Sequence, residues 1–170
     1  MNKTIVLRRI CGPGDNAESI RPCNEFELAP FEFSRVPSCA SILDEVDYWR
    51  CPGSSSALLD IENLFKNPEI HLRADLSSVV LSSSRVVGFV SVVAENPWFP
   101  LAGDDVLISD IVVTSSQRRR GVGRILLNHV VRSASALGLN AVFLLVEDSN
   151  KAARRLYAQL GFSLVADPRM

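Results

Sequence analysis

The sequence is poor in metal ligands. Only two histidines occur, and the four cysteines, Cys11, Cys23, Cys39 and Cys51, include no C-x-x-C pair and no neighbouring histidine, so no resident metal is expected. No run approaches the roughly twenty apolar residues of a membrane span. Ile5-Val6-Leu7 before Arg8-Arg9 is too short for the apolar part of a secretion signal. The formal net charge of −1 gives no broad positive field to attract nucleic acid or an anionic membrane. These absences predict a cytoplasmic chain with reduced thiols and neither nucleic-acid nor membrane partners. Two phosphate-binding loops are missing as well. The dinucleotide fingerprint needs a third glycine where Leu126 stands, and the nucleotide-triphosphate loop needs Gly-Lys-Ser/Thr where Gly123 is followed by Arg124-Ile125.

What is present is an ordinary globular composition, 47% hydrophobic and 22% charged, and a length of 170 residues that suits one domain, 1–170, with a full core. Its most patterned stretch runs from Val106 to Phe162. Val106 to Val113 is rich in β-branched residues, as a buried strand is, and Thr114-Ser115-Ser116 ends it. From Gly121 the period changes. Val122, Ile125, Leu126, Val130, Ala134 and Leu137 recur at helical spacing, with Arg124, Asn128 and Arg132 on the other face and Gly138 as a C-terminal cap. Ala141 to Val146 is a second strand, which completes a βαβ unit with parallel strands.

The turn inside this unit carries the chemistry. The first N–H groups of a helix have no partner within it, and the peptide dipoles leave partial positive charge there. A helix that opens on Gly121-Val122-Gly123 lets an anion approach the backbone, and Arg118, Arg119 and Arg120 add planar, multi-donor groups suited to phosphate oxygens. A phosphate or pyrophosphate is the expected ligand. The competing reading is a plain tight turn with solvated arginines.

Beyond the second strand, Glu147-Asp148-Ser149-Asn150 offers helix caps and Gly161 a stop, which predicts a helix over Lys151 to Leu160. Asn150, Ala153 and Tyr157 then share a face nearly two turns long, with the small alanine leaving room for something to lie across it. Read singly, Asn150 is a cap and Tyr157 a packing residue.

Together these residues resemble the acetyl-CoA-binding core of the GCN5-related N-acetyltransferase superfamily. Arg118-x-x-Gly121-x-Gly123 is similar to its Gln/Arg-x-x-Gly-x-Gly/Ala signature, and Asn150, Ala153 and Tyr157 to its later Asn-x-x-Ala-x-x-x-Tyr feature. Leu160-Gly161-Phe162 is similar to the family's Leu-Gly-Phe ending. The resemblance covers about the last 65 residues. It implies an α/β fold with a mixed, mostly antiparallel sheet, one splayed parallel strand pair, and helices on both faces. It implies acetyl-CoA as co-substrate, with the pantetheine arm against the backbone of Ile111, Val112 and Val113. The pyrophosphate is then expected on Arg118, Arg119, Arg120, Gly121, Val122, Gly123 and Arg124, with Asn150, Ala153 and Tyr157 beside the cofactor.

The implied partner is an amine acceptor, small molecule or peptide. A primary amine with a pKa near ~10.4 must lose a proton before it attacks a thioester, so a base is sought. Asp110 is the candidate, because it interrupts the apolar face expected from Val106, Ile108 and Val112; the alternative is a structural carboxylate satisfied by neighbouring donors. Glu147 and Asp148 are in reserve. The resemblance implies Tyr157 as the candidate acid for the departing thiolate, and His129 reads as a helix-surface or boundary residue. A non-catalytic acyl-CoA-binding module is the other functional class that this sequence admits.

The first hundred residues carry no signature. Thr4 to Ile10 reads as a strand, and 16–37, with three prolines, as irregular with one short helix. Helices are expected over Ser38 to Trp49 and Ser56 to Lys66, the latter with a stripe of Ala57, Leu58, Ile61, Leu64 and Phe65. A hairpin joins Val79–Leu81 to Val86–Val93, and Trp98 and Phe99 sit in the loop that follows. A strand is expected near Phe162 to Val165, after which many members of the superfamily continue into another strand on the acceptor side. Another element or a second subunit must fill that place, and an unpaired edge there favours a homodimer.

Overall fold

A computed structural model describes residues 4–12, 25–46, 56–95 and 97–165. The strands are β1 (Thr4–Ile10), β2 (Glu27–Pro30), β3 (Ser78–Ser82), β4 (Arg85–Val93), β5 (Asp105–Val113), β6 (Ala141–Glu147) and β7 (Ser163–Leu164); the helices are α1 (Val36–Glu45), α2 (Ala57–Lys66), α3 (Val122–Ala136) and α4 (Lys151–Gln159). The strands form one sheet in the order β2-β3-β4-β5-β6-β1-β7. Every neighbouring pair is antiparallel except β5 and β6. The expected fold class, with helices on both faces of a mixed sheet, is the observed one.

Each face has its own core. Val106 and Ile108 of β5, Val142, Leu144 and Val146 of β6, and Ile5 and Leu7 of β1 pack with Leu126, Leu127, Val130 and Tyr157 on the side of α3 and α4. On the opposite side Val6, Phe89, Leu107, Val112 and Phe143 pack with Cys39, Ile42 and Leu43 of α1 and Ile61 and Leu64 of α2. Phe31 stacks on Phe89 with ring centroids 5.7 Å apart, a contact of the kind that contributes about 0.5–1.5 kcal/mol beyond its buried area.

Several features depart from the sequence reading. A bulge lies in β5: Ser91 pairs with Asp110 but Val92 pairs with Ile108, which leaves Ser109 unpaired. One extra residue exchanges the faces of everything after it. Val112 therefore belongs to the α1 and α2 side, opposite Val106 and Ile108, and the single apolar face proposed for these three does not exist. Leu58 is likewise 41% exposed and does not belong to the α2 stripe.

The second departure is the position of β1. It pairs with β6 along its whole length, Thr4 opposite Glu147 and Ile10 opposite Ala141, and with β7 on its other edge at Leu7 and Arg8. The N-terminal strand thus lies between β6 and β7 and is an element of this chain beside β7, where another element or a second subunit was expected. β6 is paired within the chain on both sides, with β5 over 141–144 and with β1 over 141–147. Arg9 fastens the arrangement, its Nη1 donating to the Leu160 carbonyl just past α4.

β2 was not foreseen, lying inside the stretch read as irregular. Phe99 is buried against Phe143 at 5.7 Å while Trp98 is 67% exposed. Cys11 and Cys39 are free thiols; Cys23, Cys51 and the expected end of the first helix at Trp49 lie outside the described residues. Among the described residues no helix is long and apolar enough to cross a membrane.

Candidate active site

β5 delivers the chain to a turn that is held in shape from several directions. Thr114 leaves the strand, a 3-10 turn covers Ser115–Gln117, and Gly121 caps α3 with φ of 92°. A left-handed φ of this kind suits glycine, and a Cβ placed there would meet nothing within 4 Å, so the space above the turn is open. The first bond of the helix runs from Ile125 N–H to Gly121 O at 3.0 Å. The N–H groups of Val122, Gly123 and Arg124 are therefore free of helical partners. Arg118 Nε donates to Val113 O at 3.3 Å, and Arg120 donates to Gln117 Oε1 at 2.7 Å and pairs with Glu25. Arg119, itself at φ of 63°, is exposed and forms no ion pair among the described residues.

The helix start also sits unusually close to the sheet. A Cβ on Gly88 of β4 would lie 2.9 Å from Val112 O and 3.0 Å from Val122 Cγ1, so the absence of a side chain there seats α3 against β4.

Between β5 and β6 the ladder is short. It spans Asp105 with Ala141 to Ile108 with Leu144 and stops at the Ser109 bulge. Beyond it, Ile111–Val113 pair only toward β4, and Leu145–Glu147 only toward β1. Two strands that diverge in this way leave backbone N–H and C=O groups facing a gap, and such groups seek partners. Ile111, Val112 and Val113, the residues the resemblance implied for the pantetheine arm, border this gap.

α4 borders the same region. Asn150 caps it, its Oδ1 accepting the Ala153 N–H at 3.1 Å, so its carbonyl oxygen is engaged in the helix. Ala153 is half-buried. Tyr157 is 6% exposed, its ring 6.0 Å from Phe162, and burial pushes its phenol up to about 12. Its hydroxyl has no hydrogen-bond partner among the described residues.

On the α1 and α2 side, Ser91 Oγ donates to Asp110 Oδ2 at 2.7 Å. Burial raises the Asp110 pKa, hydrogen bonds from Ser91 and Ser109 oppose the rise, and the nearby Asp60 of α2 adds to it. Asp148 is paired with Arg154 and Glu147 accepts from Ser149 Oγ at 3.1 Å, both on the surface. His129 is half-buried in α3, with its pKa lowered by desolvation. Among the described residues no group of three His, Cys, Asp or Glu side chains could hold a metal ion.

This chain matches the family model described as Acetyltransferase (GNAT) family over residues 43–162. The chain belongs to that family. Among curated proteins it is 38% identical over 60 residues to the [Ribosomal protein bS18]-alanine N-acetyltransferase of Salmonella typhimurium, a match covering 35% of this chain and 40% of that protein. It is 35% identical over 85 residues to the L-ornithine N5-acetyltransferase NATA1 of Arabidopsis thaliana, covering 50% and 37%. The matches thus span well under half of those relatives. Among solved structures it superimposes on the ribosomal-protein-S18-alanine N-acetyltransferase of Escherichia coli with a TM-score of 0.64 at 21% identity, over 83% of this chain and 79% of that one. The diaminobutyrate acetyltransferase EctA of Paenibacillus lautus, solved with L-2,4-diaminobutyric acid and coenzyme A, gives 0.62 at 19%, over 80% and 74%.

GNAT proteins use acetyl-CoA as co-substrate. The donor set here fits that group: free N–H groups and open space at Gly121 suit a pyrophosphate, and the unpaired strand edges suit an amide-bearing arm. Sequence reasoning missed three members of the region. Asp60 of α2 was not singled out, and only the packing of α2 on the sheet brings it near Asp110. Ser91 and Gly88 carried no signal, since only the β4–β5 register brings them to Asp110 and α3.

Proposed function

We propose that this protein transfers the acetyl group of acetyl-CoA to the primary amine of a small molecule, such as a polyamine or aminoglycoside, or of a peptide. The observation that carries the reading is the gap between β5 and β6 opening at the Ser109 bulge, on the strand that leads to the Gly121 turn. Bound acetyl-CoA supplies a thioester with an electrophilic acyl carbon.

The chain's own groups do the rest. The N–H groups of Val122, Gly123 and Arg124, with Arg119 close by, hold the pyrophosphate, and the backbone of Ile111 to Val113 holds the pantetheine amides. Asn150 and Ala153 border the same arm. Asp110 accepts the proton that the acceptor ammonium must lose. A carboxylate with a raised pKa is a stronger base than one in water, and the neighbouring Asp60 favours a positively charged acceptor. Tyr157 keeps its proton at neutral pH, so it serves as an acid toward the departing thiolate. Relatives that act on ribosomal protein alanine and on L-ornithine support amines as the acceptor class.

The test is release of free CoA thiol from acetyl-CoA in the presence of polyamines, aminoglycosides, amino acids and peptide N-termini, with the acetylated product identified by mass spectrometry. Amine-dependent thiol release is expected. Acetyl-CoA binding without release for any of them would instead indicate a non-catalytic acyl-CoA-binding module.

A further inference from the structure

On the α1 side of the sheet, a cavity of about 910 Å³ opens between α1, the β3–β4 turn and the segment that runs from β5 into the Gly121 turn. Arg35, just before α1, and Arg85, the first residue of β4, both line it. Neither forms an ion pair among the described residues. Arg35 Nε is buried and has no hydrogen-bond partner among them. Hydroxyl groups supply most of the remaining wall, including Ser38, Ser82 and Thr114. The one carboxylate at the rim, Glu45, already accepts the Ser115 N–H at 2.7 Å, which lowers its pKa.

Such a lining is costly in isolation. Neither guanidinium has an ion-pair partner among the described residues, and a buried N–H without an acceptor loses the hydrogen bond it had in water. An oxyanion meets both needs, because a guanidinium presents paired donors to two oxygens and serine hydroxyls donate to the others. The two residues of the hairpin turn, Ser83 and Ser84, hold left-handed φ angles of 48° and 64° where Asn-Gly is the usual choice, so two further cavity-lining residues are kept in a strained conformation. This open cleft is polar and has room for more than a single ion.

We propose that this cavity is a second anion site, which takes a small molecule bearing a phosphate or carboxylate group and is separate from the turn at Gly121.

The experiment is calorimetric titration of the protein, saturated with CoA, with inorganic phosphate and separately with succinate at constant ionic strength. Saturation with CoA blocks the Gly121 turn, so the heat that remains reports the cavity. Saturable binding of either probe is expected, weakened about tenfold or more in Arg85→Gln, and the preferred probe identifies the oxyanion. Arg85 is exposed, so its replacement leaves the fold intact; Arg35→Gln provides a second variant. The proposal is overturned by absence of saturable heat from both probes, by heat undiminished in both arginine variants, or by phosphate binding that Gly121→Val removes and Arg85→Gln does not.

Discussion

Ser91 and Asp110 face each other across β4 and β5 at the residue pair where the register shifts, joined by a 2.7 Å hydrogen bond. The bulge at Ser109 turns the carboxylate away from the α3 core and toward α1 and α2.

The raised pKa of Asp110 has a stability consequence. Its folded value lies above the unfolded one, so its favourable contribution is complete below 3.8 and is lost as pH rises through the folded value. Asp110→Asn, which cannot ionise but still accepts the Ser91 hydroxyl, is therefore expected to match the wild type in acid and to exceed it in stability at neutral pH. Urea unfolding at both pH values checks this, and identical pH dependence in the two proteins would contradict it. Activity moves the other way, with kcat/KM falling by about 10²-fold, most at low pH where the amine is protonated.

Gly121→Val places a side chain into open space at φ of 92°, so two effects must be separated. Strain of about 1–3 kcal/mol lowers the melting temperature, and acetyl-CoA affinity falls because the side chain occupies the approach to the turn. Gly138 supplies the control. It has φ of 71° and equally open space at the other end of α3, so Gly138→Val is expected to be destabilised similarly while binding acetyl-CoA normally. Equal loss of affinity in both would show that strain, not the anion site, is responsible.

Tyr157→Phe removes a hydroxyl that has no partner among the described residues and leaves the packing against Phe162. Stability and acetyl-CoA affinity are expected to stay near the wild-type values while kcat falls, toward the low end of the ~10²–10⁴-fold range because a thiolate with a pKa near ~8.5 leaves tolerably well unaided. Steady-state kinetics and a thermal melt decide. An unchanged kcat would remove the tyrosine from the proton path.

β1 has β6 along one whole edge and β7 beside Leu7 and Arg8. Paired on both edges, the amides of Val6 and Leu7 are expected to exchange as slowly as those of Val142 and Leu144. Hydrogen exchange read residue by residue tests this, and fast exchange confined to β1 would contradict its place inside the sheet.

Legibility in the sequence followed the range of the interactions. The β5-turn-α3-β6 unit and α4 were readable from Val106 to Gly161 because glycines, caps and apolar periods act over a few residues. The Ser109 bulge was not readable, since it exists only in the register between β4 and β5. Asp110 was singled out as the interruption of one apolar face, and because the bulge breaks that face it was assigned to the wrong side. β2 was hidden by its four-residue length and by Pro30 within it. β1 was recognised as a strand, but its partner lies more than a hundred residues away, and nothing local announces such a pairing.

The central claim is that the gap beside Ile111–Val113 and the turn at Gly121 together bind acetyl-CoA. Isothermal titration of the wild-type protein with acetyl-CoA, ATP and NAD tests it most directly. Saturable one-to-one binding of acetyl-CoA, with ATP and NAD far weaker because neither carries a pantetheine arm, is the predicted result. Equal affinity for ATP would mean that the turn binds phosphate without the strand gap contributing, and absence of acetyl-CoA binding would contradict the account altogether.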